Sequence, residues 1–433
     1  MDSFQDIFDK IDYKKNKKVK ETNKTDKILR ALYESISKIN NRVKNISEIN
    51  GSNIVLENIQ DNILLKKQFQ DRLSTYGSSF FDNKIRNYIS SNTKSKLSYI
   101  YNDSQYKITI SFYLMKDDIS NDEFISNVEE YFHVMLTWLI ICSKISNKGC
   151  ISKKKMTIDI FLSPFKKVLP SNDIDLLEPF NINTGFTTRC GGDKNGVVIY
   201  RKEEWFKVFL HETMHYFAFD ENLDNNELID EITDFFLLKK KIKVYEAYCE
   251  FWSRIMNSVF IAFMLCNGDC NNNGKGNDNG KYNDNGKDND YFLKKCCELL
   301  EYERTFSSFQ SAKMINRHNI CYNSIKDKKS NPNINNFLYK ENTNVFAYYI
   351  ITNILMNNYE KYINYCLDNN SSLFLHNKNA DLLGDYIKKN YNKNMLIYNL
   401  ELSLNVLDDC IKQNNQFGIM SCRMSIADLQ NIE

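Results

Sequence analysis

The sequence predicts an α+β fold, predominantly helical, with one small twisted sheet and a helical C-terminal lobe. Three observations carry this reading. Short segments of alternating polarity cluster between residues 96 and 201, as half-buried strands do. Long runs with apolar residues at spacings of three and four flank them. Beyond residue 252 the helical spacing resumes and no further strand pattern follows.

Taken in order, residues 25–49 place Ile28, Leu29, Leu32, Tyr33, Ile36, Ile39 and Val43 along one helical face. That face is expected to pack within the chain. Residues 96–101 and 106–115 alternate around Asn102-Asp103-Ser104-Gln105 and predict a β-hairpin. Residues 119–146 read as a long buried helix, and 156–162 as a strand bounded by Lys153-Lys154-Lys155 and Pro164. A further short strand, 196–201, follows the turn-rich stretch 191–195. Glu203-Glu204-Trp205 then opens a helix whose apolar positions are Trp205, Phe206, Phe209, Leu210, Met214 and Phe217. Glu227, Asp230 and Glu231 follow the turn Asp224-Asn225-Asn226 and read as the solvated acidic start of the next helix. Residues 268–290 are built from Asn, Gly, Lys and Asp and are expected to be a flexible loop. The expected organisation is a helical N-terminal region (1–94), a core with the sheet and the helices that follow it (95–266), a disordered insertion (267–290) and a helical C-terminal lobe (291–433).

The helix after residue 203 carries the chemistry: His211-Glu212-Thr213-Met214-His215, an HExxH motif. Two histidines four apart lie on one helical face, so both imidazoles can reach one metal ion. Glu212, about 100° around the helix from His211, is near enough to act on a metal-bound water without ligating the ion. The chain has only five histidines, which makes this spacing improbable by composition alone. His133 and His376 have no metal-spaced partner and read as structural.

A strand leading directly into an HExxH helix resembles the zincin metallopeptidases. The resemblance implies one zinc ion, held by His211 and His215, with Glu212 as general base and a sheet edge that takes an extended peptide or protein substrate, here along 197–200. Catalytic zinc takes a third protein ligand. The metzincin pattern would need Gly at 218 and His at 221, where this chain has Ala218 and Glu221. Glu246-Ala247-Tyr248-Cys249-Glu250 is similar to the gluzincin second helix and makes Glu246 the expected ligand, with Glu250 one turn on to orient a ligating histidine. Glu250 and Glu221 remain alternatives for the ligand itself. Gluzincins also place a His or Tyr to donate a proton or stabilise the oxyanion, for which His318 and Tyr348 are the candidates. Two other functions fit the same motif: a zincin-fold structural or interaction protein such as a virion component, and a hydrolase of a non-peptide amide or ester.

The remaining composition sets bounds. A net charge of +2 gives no electrostatic case for nucleic acid or an acidic membrane, and the basic run 14–20 reads as a solvated arm. The N-terminus lacks an apolar signal core, and no uninterrupted apolar run is long enough to span a bilayer; the stretch read as nearest, 134–142, is about half the length required. Twelve cysteines without a secretion signal suggest reduced thiols and a cytoplasmic setting, not a secreted one. The Asn/Lys/Ile/Tyr bias and the Asn-rich insertion look like an AT-rich genome, as in large DNA viruses or certain protists. The stretch from 183 through the metal helix resembles uncharacterised large-virus proteins, so the setting would be host cytoplasm or virion. Oligomeric state is left open by the sequence.

Overall fold

Alternation and helical spacing translate into elements largely where the sequence places them. The computed structural model describes residues 23–50, 54–77, 81–102, 106–115, 122–146, 150, 155–172, 175–191, 196–273, 285–318, 322, 340–369 and 381–429. In chain order these form α1 (Asn23–Asn50), β1 (Ile54–Asn58), α2 (Ile63–Ser74), α3 (Asn83–Asn92), β2 (Thr93–Asn102), β3 (Lys107–Met115), α4 (Asp122–Ile145), β4 (Lys155–Phe161), the short α5 (Pro179–Ile182), β5 (Gly185–Phe186), β6 (Val197–Ile199) and α6 (Trp205–Tyr216). A 3₁₀ turn (Glu221–Leu223) leads to α7 (Asn226–Phe235), α8 (Val244–Asn273) and α9 (Asn285–Arg317). A π-helical turn (Phe346–Ile351) runs into α10 (Thr352–Met356), followed by α11 (Tyr359–Asn369), α12 (Asp381–Asn390), α13 (Asn394–Lys412) and α14 (Gln416–Met420). The fold is α+β, mostly helical, with one small mixed sheet of six strands. His376 and the basic run 14–20 lie outside the described residues.

The chain divides into two units. One comprises residues 32–166 and 183–219 and contains the sheet, in the order β1-β2-β3-β4-β6-β5. The expected hairpin is present, with Leu97 opposite Phe112 in the antiparallel pair β2/β3. β3 and β4 are parallel, Ile110 opposite Ile158, because α4 carries the chain back across the sheet between them. β6 is parallel to β4 and antiparallel to β5.

Side chains alternate across this sheet. Phe112 points to one face and packs on Phe132 of α4 and Trp205 of α6, each with ring centroids 5.3 Å away. Tyr113 and Phe161 point to the other, stacked at 4.4 Å and covered by Phe69 of α2. On that second face Asp159 accepts hydrogen bonds from Arg72 (2.8 Å) and Tyr113 (3.3 Å). Burial and the neighbouring carboxylate hold the Tyr113 phenol well above its usual pKa, so it remains a donor.

The other unit comprises the described residues of 1–31, 167–182 and 220–433 and is helical. Its centre is α8, whose residues 244–266 are almost all buried. The stretch 244–267 is long and apolar enough to cross a membrane by length and composition, although charged and polar residues interrupt its apolar run, and most of it is buried inside the protein. Phe306 and Phe309 of α9 form an apolar cluster with Val406, Leu407 and Cys410 of α13.

Two expectations need correction. The Asn/Gly-rich segment is not a loop throughout: α8 continues to Asn273 and α9 begins at Asn285, while 274–284 lie outside the described residues. Extending an existing helix costs far less than nucleating one, so a long buried helix carries polar residues along at its end. Nor are all thiols reduced. Cys150 and Cys190 form a disulfide, and Cys142, Cys249, Cys266, Cys296, Cys297, Cys366, Cys410 and Cys422 are buried.

Candidate metal centre

The metal helix forms because every position between Trp205 and Tyr216 except His215 is buried, and nothing in the run breaks helical geometry. Its middle is fixed from within the motif. The Trp138 indole N–H donates to Thr213 Oγ1 at 2.7 Å, and that hydroxyl reaches the Phe209 carbonyl at 2.7 Å. Its C-terminus closes as a Schellman turn: Phe219 N–H donates to Met214 O and Ala218 N–H to His215 O, both at 3.0 Å, with Ala218 at φ 59°. Beyond that turn the Tyr216 carbonyl accepts from Cys190 N–H at 3.0 Å, and the Cys150–Cys190 disulfide joins this neighbourhood to Cys150, between α4 and β4 in the chain.

On the helix so fixed, His211 Nε2 and His215 Nε2 lie 3.1 Å apart. Two nitrogens sharing a tetrahedral zinc, with bonds of 2.0–2.1 Å, stand about 3.3 Å from each other. The pair therefore fits such an ion by type and spacing. Glu212, buried, lies on the adjoining helical face against β5. A Cβ on Gly185 would come within 2.8 Å of the Val198 carbonyl, 2.9 Å of Val208 Cγ1 and 3.1 Å of Glu212 Cγ. Only glycine allows this outermost strand to run so close to the glutamate. Tyr200, just past β6, is also buried; burial raises its phenol pKa, Arg201 opposes the shift and Glu212 adds to it.

The expected substrate edge at 197–200 is taken up within the sheet. Val197–Ile199 is paired on both sides, to Ile158–Ile160 of β4 and to Gly185–Phe186 of β5, and Tyr200 N–H donates to Thr184 O. No edge is left at 197–200 for an added strand. The outer strand on that side of the described sheet is β5. The sequence shows β6 clearly but hides β5, since two residues are too few to display alternation.

In the helical unit, Glu246 stands in the first turn of α8, half-buried. Its Oε1 accepts from Asn344 Nδ2 at 3.1 Å and its Oε2 from the Tyr348 hydroxyl at 2.9 Å. Glu250, one turn on and fully buried, accepts from Arg254 Nε at 2.8 Å. Glu221 is half-buried in the 3₁₀ turn. At the start of α7, Asn225 caps Glu227 N–H at 2.8 Å, Asp230 pairs with Lys241 at 2.7 Å and Glu231 with Lys388, as a solvated helix start should. His133 packs edge-on against Tyr99, in keeping with a structural role.

Of the two proton-donor candidates, Tyr348 is brought to Glu246. His318 ends the chain run after α9, its N–H bonded to Met314 O. Burial first, then the adjacent Arg317 charge, lower its pKa to about 4, so the ring is neutral near pH 7. Sequence reasoning missed Asn344. Its spacing of one helical turn from Tyr348 is the signal that was there to be read.

No protein-family model, curated protein or solved structure matches the chain.

Proposed function

We propose that this chain is a zinc-dependent peptidase of gluzincin type, with a zincin-like arrangement of strand and helix. The observation that carries the proposal is the pair of imidazole Nε2 atoms 3.1 Å apart, with a buried glutamate between them in sequence. His211, His215 and Glu246 would hold one ion. When bound, zinc would acidify a water molecule and polarise the scissile carbonyl. Glu212 would serve as the general base, accepting a proton from the attacking water and returning it to the leaving amine. An extended peptide lies along β5, the outer strand of the described sheet, which puts its carbonyls beside Glu212. Gly185 keeps that approach free of side chain.

Glu212→Gln keeps the size of the side chain and removes the base. Cleavage of a peptide library by this variant should fall by roughly 10²–10⁴-fold with zinc retained. Equal cleavage by variant and wild type would falsify the assignment. Turnover of small amides or esters with no peptide cleaved would move the reaction class to non-peptide hydrolysis. A folded, zinc-loaded wild type that turns over neither would favour the structural role.

A further inference from the structure

Glu246 is gripped at both carboxylate oxygens by one short element. Asn344 meets Oε1 and Tyr348 meets Oε2, at 3.1 and 2.9 Å. The donors sit one turn apart, linked by Tyr348 N–H to Asn344 O at 3.0 Å. Tyr348 belongs to the π-helical turn, in which every residue is buried. That turn is itself anchored: Phe346 N–H donates to Glu341 Oε2 at 2.8 Å, Lys240 Nζ to Glu341 O at 2.7 Å, and the Tyr349 hydroxyl to Cys422 O at 2.6 Å. π-turns are rare and collect at functional positions.

We propose that Asn344 and Tyr348 are positioning residues that hold the Glu246 carboxylate in one orientation for metal binding. This rests on the reading of Glu246 as a zinc ligand. Each carboxylate oxygen has two lone pairs, so an oxygen that accepts one of these hydrogen bonds keeps a pair for the ion. An unclamped glutamate at the head of a helix samples several rotamers, of which few present an oxygen to a given point. Partners behind a ligand of this kind typically change metal affinity by 10–100-fold. In this assignment the Tyr348 hydroxyl serves Glu246 rather than the reacting carbonyl.

The test is zinc affinity, measured by chelator competition on the full chain, for wild type, Asn344→Ala, Tyr348→Phe, Glu246→Ala and the two combinations with Glu246→Ala. Unfolding of the metal-free proteins is followed alongside. Asn344→Ala and Tyr348→Phe should each weaken zinc binding by roughly 10–100-fold. Neither should weaken it further once Glu246 is alanine, because the clamp then holds nothing. Cobalt(II) spectra of the two single variants should also shift from wild type. Tyr348→Phe removes a single oxygen from a packed ring, so it carries the test should Asn344→Ala fail to fold. If Glu246→Ala weakens zinc while both clamp variants bind as wild type does, the clamp is overturned and the ligand stands. Undiminished loss in the Glu246→Ala background also overturns the clamp. Wild-type affinity in Glu246→Ala itself removes the ligand, and the clamp with it.

Discussion

Lys313 is a lysine buried in the helical unit, its ammonium donating to the Gly418 carbonyl at 2.8 Å and the Ser421 carbonyl at 2.6 Å. Burial lowers its pKa from 10.5 to about 8, against an opposing pull from Cys422 and Cys410. Between those two values the unfolded chain binds more protons than the folded one. Stability should therefore rise with pH from about 8 to about 10.5, by up to ~3 kcal/mol from this group. Chemical unfolding of wild type and Lys313→Met across that window checks it: the variant should lack the rise, and parallel curves would count against it. Nothing in Ser311-Ala312-Lys313-Met314 marks this lysine as buried, because its partners are carbonyls more than a hundred residues away. His211 and His215 are the opposite case. Their proximity follows from helical geometry alone, so the sequence contains it in full.

At the scale of elements, α6 was legible because its apolar spacing is dense and uninterrupted, whereas its C-terminal closure was not. Ala218 adopts φ 59°, a conformation that glycine reaches without steric cost. Ala218→Gly should raise stability by about 1 kcal/mol, the released strain exceeding the added freedom of the unfolded chain. Denaturant midpoints at constant slope would show it, and a loss of stability would contradict it. The sheet was legible in part. β2, β3, β4 and β6 alternate or run apolar, but β1 exposes Val55 and Leu56, so its pattern does not report a buried face. Which strand is outermost depends on pairing between distant segments, and this is why the substrate edge moves from β6 to β5. The long α8 was underestimated because its last residues are polar; a helix end needs no apolar face of its own.

For the molecule as a whole, the mixture of helix and a small sheet was readable from periodicity, and the assembly of the units was not. Residues 167–182 interrupt the sheet-bearing unit and belong to the helical one. A linear reading has no signal for such an excursion, since apolar spacing reports burial and not the partner. The disulfide is hidden for a related reason: Cys150 and Cys190 stand 40 residues apart with no spacing motif. Of the proposed metal ligands, two came from helical geometry and the third from a resemblance in the helix that bears Glu246. The proposed chemistry requires all three to act on one ion. Its most direct test is the zinc content of folded protein, by elemental analysis, for wild type beside His215→Ala and Glu246→Ala. One zinc per chain in wild type, with clear loss in both variants, is the predicted result. A folded wild type that stays metal-free when zinc is supplied would contradict it.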